Sequence, residues 1–252
     1  MMAVITAIIN AQGLPTDEIL DAAGYYQVLS FFLLLFSAII GPDLVCPDRR
    51  DNVIHLYLVR PISALDYVAL RWLALFSFAL AVLYLGQAFL FAGFTLGADR
   101  PLEYLRDNWL DVPRALAAGL VLGVYAATIP LAVSTFTSRR GYAQAFIIGI
   151  FFISIPLAAI FTECGEDLDE GPGVNVRTVC EPAAGGAAKW VALVDLVRAP
   201  VHVSDMIFDK ENQSHLSQLV AELPDAIPVG WFLLLVGTPG LVLWWRYRRI
   251  SL

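Results

Sequence analysis

Lysine is almost missing from this chain: Lys189 and Lys210 are the only two. A nucleotide-binding P-loop needs GxxxxGK[ST], whose lysine reaches the β- and γ-phosphates. No such string occurs here, so the chain cannot hydrolyse ATP by that mechanism. Catalytic sets are missing as well. There is no Gly-x-Ser-x-Gly elbow and no His-Glu-x-x-His helix. The three histidines, His55, His202 and His215, are scattered, and none has a cysteine at zinc-ligand spacing. These absences set back an integral-membrane enzyme, and no metal or cofactor is expected on the chain itself.

Charge is scarce too. Only 15% of residues are charged, where a soluble domain carries about a quarter. Hydrophobic residues make up 58%, and mean hydropathy is +0.69. The apolar residues gather into runs near the length needed to cross a hydrocarbon core of ~30 Å. The clear runs are 25–40, 67–94, 115–136, 142–161 and 229–245. A β-barrel would show short alternating segments instead. The expected fold is all-α: a polytopic helical membrane protein, one domain over 1–252, with five clear transmembrane helices. An apolar stub, Met1–Ile9, precedes them. It is too short to span alone and lacks the basic region and cleavage site of a signal peptide. It reads either as the tail of a span that starts upstream or as an interfacial piece.

Ionisable groups are absent from the interiors 25–40, 72–94, 115–136, 142–161 and 229–245. Ion-coupled carriers keep intramembrane Asp, Glu or His as relays. A self-sufficient secondary transporter and an intramembrane protease are therefore disfavoured. If the chain moves a solute, the energy comes from outside it.

Arginine sets the orientation. Arg49, Arg50, Arg60 and Arg71 lie between the first two runs, Arg139 and Arg140 between the third and fourth, and Arg246, Arg248 and Arg249 near the end. These regions are expected to be cytoplasmic, the C-terminus with them. The 95–114 and 162–228 loops then face outward. Cys46 falls inside. Cys164 and Cys180 share the outer loop, where oxidation is permitted. A disulfide between them and two free thiols both remain open, because spacing does not fix Cα separation.

The 162–228 loop is too long for a passive connector. Its first half is rich in glycine and acids. Its second half alternates apolar and polar residues around Lys189–Val197, Val201–Phe208 and Leu216–Leu223. Short interfacial helices capping the bundle are expected, with Trp190 at headgroup depth. Such a cap is either a lid over an exit path or a plain folded cover. Gly119 and Gly123 form a small-xxx-small pair, read as packing within the chain or as a dimer face. Pro130, Pro156 and Pro239 interrupt three spans as hinges or as static kinks.

The most distinctive stretch is the charged insert between the first two runs. It contains Gly41-Pro42-Asp43-Leu44, then Asp48-Arg49-Arg50-Asp51-Asn52, then Leu56-Tyr57-Leu58-Val59-Arg60-Pro61-Ile62-Ser63, then Asp66-Tyr67. This order resembles permease subunits of ATP-binding-cassette transporters of the type-2 export family. There a charged turn, a short helix, an RPIS step and an Asp-Tyr lead into the next span. The basic end Trp244–Ile250 is similar to that family as well.

The resemblance implies six spans per permease, two permease copies as homo- or heterodimer, and separate ATPase subunits that hold ATP-Mg. It implies a plasma-membrane, multi-pass location and no nucleic-acid partner. The insert, 41–66, would be the coupling segment that docks the ATPase through Asp48, Arg49, Arg50, Asp51, Leu56, Tyr57, Arg60, Pro61, Asp66 and Tyr67. Its helix would run from Asp48 to Arg60. Apolar side chains would supply contact and charged ones orientation. The chain departs from the family at its start, where only the stub stands in for a first span. The alternative function is a non-transporting membrane anchor or assembly and maturation factor.

Overall fold

In a bilayer a backbone N–H or C=O finds no water. A spanning segment must satisfy its own polar groups, and a helix does so turn by turn. The computed structural model describes residues 22–51, 63–97, 100–162, 185–209 and 215–248. Among the described residues there are α-helices and two short 3-10 turns, and no strand.

Among the described residues five helices are long and apolar enough to cross a membrane, so the protein is a multi-pass helical membrane protein. They are α1 (Ala22–Arg50), α2 (Ala64–Gly97), α4 (Asp111–Ser134), α5 (Arg140–Thr162) and α9 (Ala226–Arg248). A short helix, α3 (Pro101–Asp107), joins α2 to α4. The expected runs match these helices closely. The exception is α1, which does not stop at Ile40. It continues through Pro42 and Pro47 to Arg50. Each proline removes one ladder hydrogen bond, yet packing holds the helix together. Gly41 and Pro42 are buried, and a Cβ on Gly41 would collide with Pro130 of α4. Asp48 and Arg50 are therefore the last turn of the first span, not the start of a separate docking helix. The rest of that expected helix, 52–60, lies outside the described residues, as do 61 and 62. So do Met1–Ile9, Cys164 and Cys180.

Helix α4 is the centre of the bundle. It packs against α1, α2, α5, α9 and a short later helix, Ala199–Phe208. Its buried face includes Ala115, Ala118, Gly119, Gly123, Ala126 and Ala127, small residues that let helices approach without a clash. Gly119 meets the ring of Tyr84, and Gly123 meets Leu80 and Phe76, all from α2. The glycine pair thus serves packing within the chain. Buried tyrosines pin the helices by donating to carbonyls: Tyr26 to Ala115 at 2.8 Å and Tyr25 to Leu83 at 3.2 Å. Helices α4, α5 and α9 each continue across Pro130, Pro156 and Pro239.

In the 162–228 loop the described residues 185–209 and 215–221 are largely helical, as expected, but their arrangement differs. They comprise α6 (Ala188–Val191) between 3-10 turns, α7 (Ala199–Phe208) and α8 (His215–Ala221). An interfacial helix would bury one face. All of α7 except Met206 and Ile207 is buried, against α4, α9 and α1. The segment threads between span ends instead of lying flat across them. Trp190 stays exposed, as an interfacial ring would.

Candidate functional site

The arginine-bearing segments meet at one end of the bundle. Asp43 of α1 lies 3.8 Å from Arg140 of α5. Gln144 donates to the Ile39 carbonyl at 2.8 Å and to Asp43 at 3.3 Å. Arg246 of α9 sits over the Phe136 ring, 5.2 Å from its centre. Cys46 is buried, and its Sγ lies 3.5 Å from the Thr137 carbonyl.

The tightest contact of this end is at Asp48. Its Oδ2 accepts from the Tyr67 hydroxyl and from Arg71 Nη2, each at 2.5 Å. Hydrogen bonds to an ionised carboxylate are short and about twice as strong as neutral ones. Arg71 also covers the Tyr67 ring at 5.3 Å. Tyr67 is buried and packs against Tyr247 of α9, with ring centres 6.4 Å apart. One carboxylate therefore ties the end of α1 to the start of α2 and, through two rings, to the end of α9.

The start of α2 is fixed independently. Ser63 donates to Asp66 Oδ2 from its backbone N–H at 3.1 Å and from its hydroxyl at 2.7 Å. Asp66 N–H donates back to the Ser63 hydroxyl at 3.1 Å. This reciprocal pair is a capping box, which satisfies N–H groups left open at a helix start. Ser63-x-x-Asp66 in the insert is thus a helix-start signal with a physical cause.

The expected docking residues separate accordingly. Asp48, Asp66 and Tyr67 are used inside the chain. Arg50 and Asp51 are exposed, with 3.9 Å between their charged atoms. Leu56, Tyr57, Arg60, Pro61 and the side chain of Arg49 lie outside the described residues. Sequence reasoning missed Arg71 and Ser63 as partners. The signals were present: Tyr67 and Arg71 are four apart on one helix face, and Ser63 precedes Asp66 by three.

A second polar cluster lies at the opposite end. The spans lack ionisable interiors, but the outer segment brings such groups into the bundle. Asp195 Oδ1 accepts from the N–H of Val197 at 3.0 Å and of Arg198 at 3.3 Å, just before α7. The Leu196 peptide is gripped from both sides. Tyr125 of α4 donates to its carbonyl at 2.7 Å, and its N–H donates to Ser154 of α5 at 3.3 Å. Gln27 of α1 donates to Asp205 at 3.3 Å. His202 is buried, and neither ring nitrogen has a hydrogen-bond partner among the described residues. Burial, helped by the Arg198 charge, pushes its pKa down from 6.5 to about 4. Burial pushes the Asp195 carboxyl up against the N–H bonds that hold it down.

No protein-family model, curated protein or solved structure matches the chain. Among the described residues no group of His, Cys, Asp and Glu could hold a metal ion.

Two outcomes follow from this geometry. A double-mutant cycle of Asp48→Ala with Arg71→Ala, read by reversible unfolding in mixed micelles, should give a coupling energy within about 0.5–3 kcal/mol. A coupling near zero would reduce the contact to an ordinary surface pair. The His202 shift has a definite sign. Between pH 6.5 and about 4 the unfolded histidine takes a proton that the folded one refuses. Stability is therefore complete above 6.5 and falls as pH drops through that window, by at most about 3 kcal/mol. Asp195 contributes with the opposite sign, losing stability as pH rises through its raised pKa. The difference in melting temperature between wild type and His202→Phe isolates the histidine. Taken as wild type minus variant, it should fall steadily as pH drops from 6.5 toward 4.

Proposed function

We propose that this protein is the membrane-spanning permease subunit of an export-type ATP-binding-cassette transporter. A separate ATPase subunit supplies the energy and binds at the arginine-rich end, which faces the cytoplasm of a plasma-membrane protein. The observation that carries this reading is the Asp48–Tyr67–Arg71 junction. It holds the two flanks of the 52–62 stretch together, so that a push on that stretch reaches α1 and α2 at once. The capping box supports the same role, because it keeps the start of α2 from fraying under load. The sequence supports it too. The chain has no P-loop, and Tyr57 and Arg60 lie in the stretch between the flanks. The exposed Arg50 and Arg140 offer a cationic rim that an acidic groove would orient on.

In this scheme ATP binding closes the partner subunits, and closure moves the α1–α2 end as one lever. Helix α4 carries the motion outward, since it touches both helices and the buried α7. The outer segment then acts as the lid. The resemblance implies two permease copies, and the lipid bilayer is the remaining partner.

Affinity purification of the tagged chain from native membranes should recover a P-loop ATPase in near-stoichiometric amount. Tyr57→Ala with Arg60→Glu should cut that recovery at least tenfold while the melting temperature stays unchanged. Recovery of a stable partner without any ATPase would favour the anchor or assembly-factor reading. Undiminished ATPase recovery by the double variant would remove 52–62 as the docking stretch.

A further inference from the structure

A groove of about 610 Å³ lies between α2 and α4, at the end of the bundle opposite the Asp48 junction. Its walls include Phe91 and Leu96 of α2, Leu105 of α3, and Val112 and Leu116 of α4. Leu96, Leu105, Val112 and Leu116 are all exposed, so the groove opens sideways, toward the side where acyl chains lie. Trp109, also exposed, lies two residues before α4, and aromatic rings gather at headgroup depth.

The wall is mostly apolar, and two of its polar residues are already used: Thr95 donates to the Phe91 carbonyl at 2.8 Å, and Asp111 pairs with Arg114. Gln87 lines it and is only 7% exposed, yet its Oε1 has no hydrogen-bond partner among the described residues. Burying an amide oxygen without a donor is unfavourable, and a ligand group that donates to it would relieve the cost. Gln87 shares its helix face with Tyr84 and Phe91. Tyr84 does not fill the need, because its hydroxyl donates to the Leu116 carbonyl at 2.8 Å and so braces the opposite wall.

Depth decides the chemistry of the donor. The 34 residues of α2 make a helix about 51 Å long. With α2 centred on a hydrocarbon core of ~30 Å, Gln87 falls about 5 Å inside the outer boundary. That is just below the level at which a headgroup joins its chain. The charges at the mouth cancel, since Asp111 and Arg114 lie 3.8 Å from each other. Nothing there favours an ionic head.

We infer that this groove is a binding site for a neutral lipid-like amphiphile. Its alkyl chain lies along Phe91, Leu105 and Leu116, and a hydroxyl or amide N–H at the base of its head donates to Gln87 Oε1. The site does not depend on the energy source of the protein.

The test uses the full-length protein in phosphatidylcholine vesicles with two photoactivatable probes. One is a monoacylglycerol with a diazirine in its chain; the other is its di-O-methyl ether, which has no donor. Labelled peptides are located by mass spectrometry. The hydroxyl probe should label 91–116 in preference to the exposed face of α5 around Phe146 and Ile153. The methylated probe should label it about five- to tenfold less, the worth of one hydrogen bond. Gln87→Leu should abolish the difference between the probes. Ala92→Trp, which fills the groove without touching Gln87, should reduce both, leaving α5 labelling as it was. Equal labelling of groove and α5, or equal yields from the two probes on wild type, would overturn the assignment.

Discussion

One carboxylate oxygen, Asp48 Oδ2, organises the arginine-rich end of this molecule. It brings a hydroxyl and a guanidinium from α2 onto the last turn of α1. The pair is partly shielded, with the Asp48 side chain 18% and Arg71 30% exposed. Removing one partner would leave a half-buried charge beside an apolar cluster that includes Val45, Leu75, Leu131, Leu243 and Tyr247. That cluster joins α1, α2, α4 and α9. The polar contact sets the register of the helices, and the apolar contacts behind it give it stiffness.

The two ends of the bundle are built on different principles. At the arginine-rich end, charges pair across helices at a solvated surface. At the other end, tyrosine hydroxyls and buried polar groups clamp a short helix between span ends. Non-spanning backbone is tolerated at such depth only where protein surrounds it. The double grip on the Leu196 peptide meets that condition. Helix α4 connects the two ends, because its small residues put it in contact with nearly every other span.

Much of this fold was legible in the sequence, for a physical reason. An uncharged apolar run near 20 residues has few folds available to it in lipid. The extension of α1 through Pro42 and Pro47 was not legible. Proline reads locally as a helix breaker, and only the contact of Gly41 with Pro130 shows what overrides it. The burial of α7 was hidden likewise. Its polar residues, His202, Ser204 and Asp205, suggest a wet face, while in the fold that face meets α1 and α4. The candidate site was half legible. The insert stood out by its charge, but Asp48, Asp66 and Tyr67 look alike as docking or as structural residues until their partners are known. The Ser63-x-x-Asp66 spacing was the one local clue to the structural role.

The central claim is that the α1–α2 end moves as one body when an ATPase acts on it. Pulsed electron–electron resonance tests it directly, with spin labels on the protein bound to its co-purified ATPase. One label pair, at Arg50 and Leu70, spans the Asp48 junction; the other, at Arg50 and Arg140, crosses from α1 to α5. On adding ATP-Mg, the first distance should stay constant and the second should change. A change in the first distance, or constancy of both, would contradict the account.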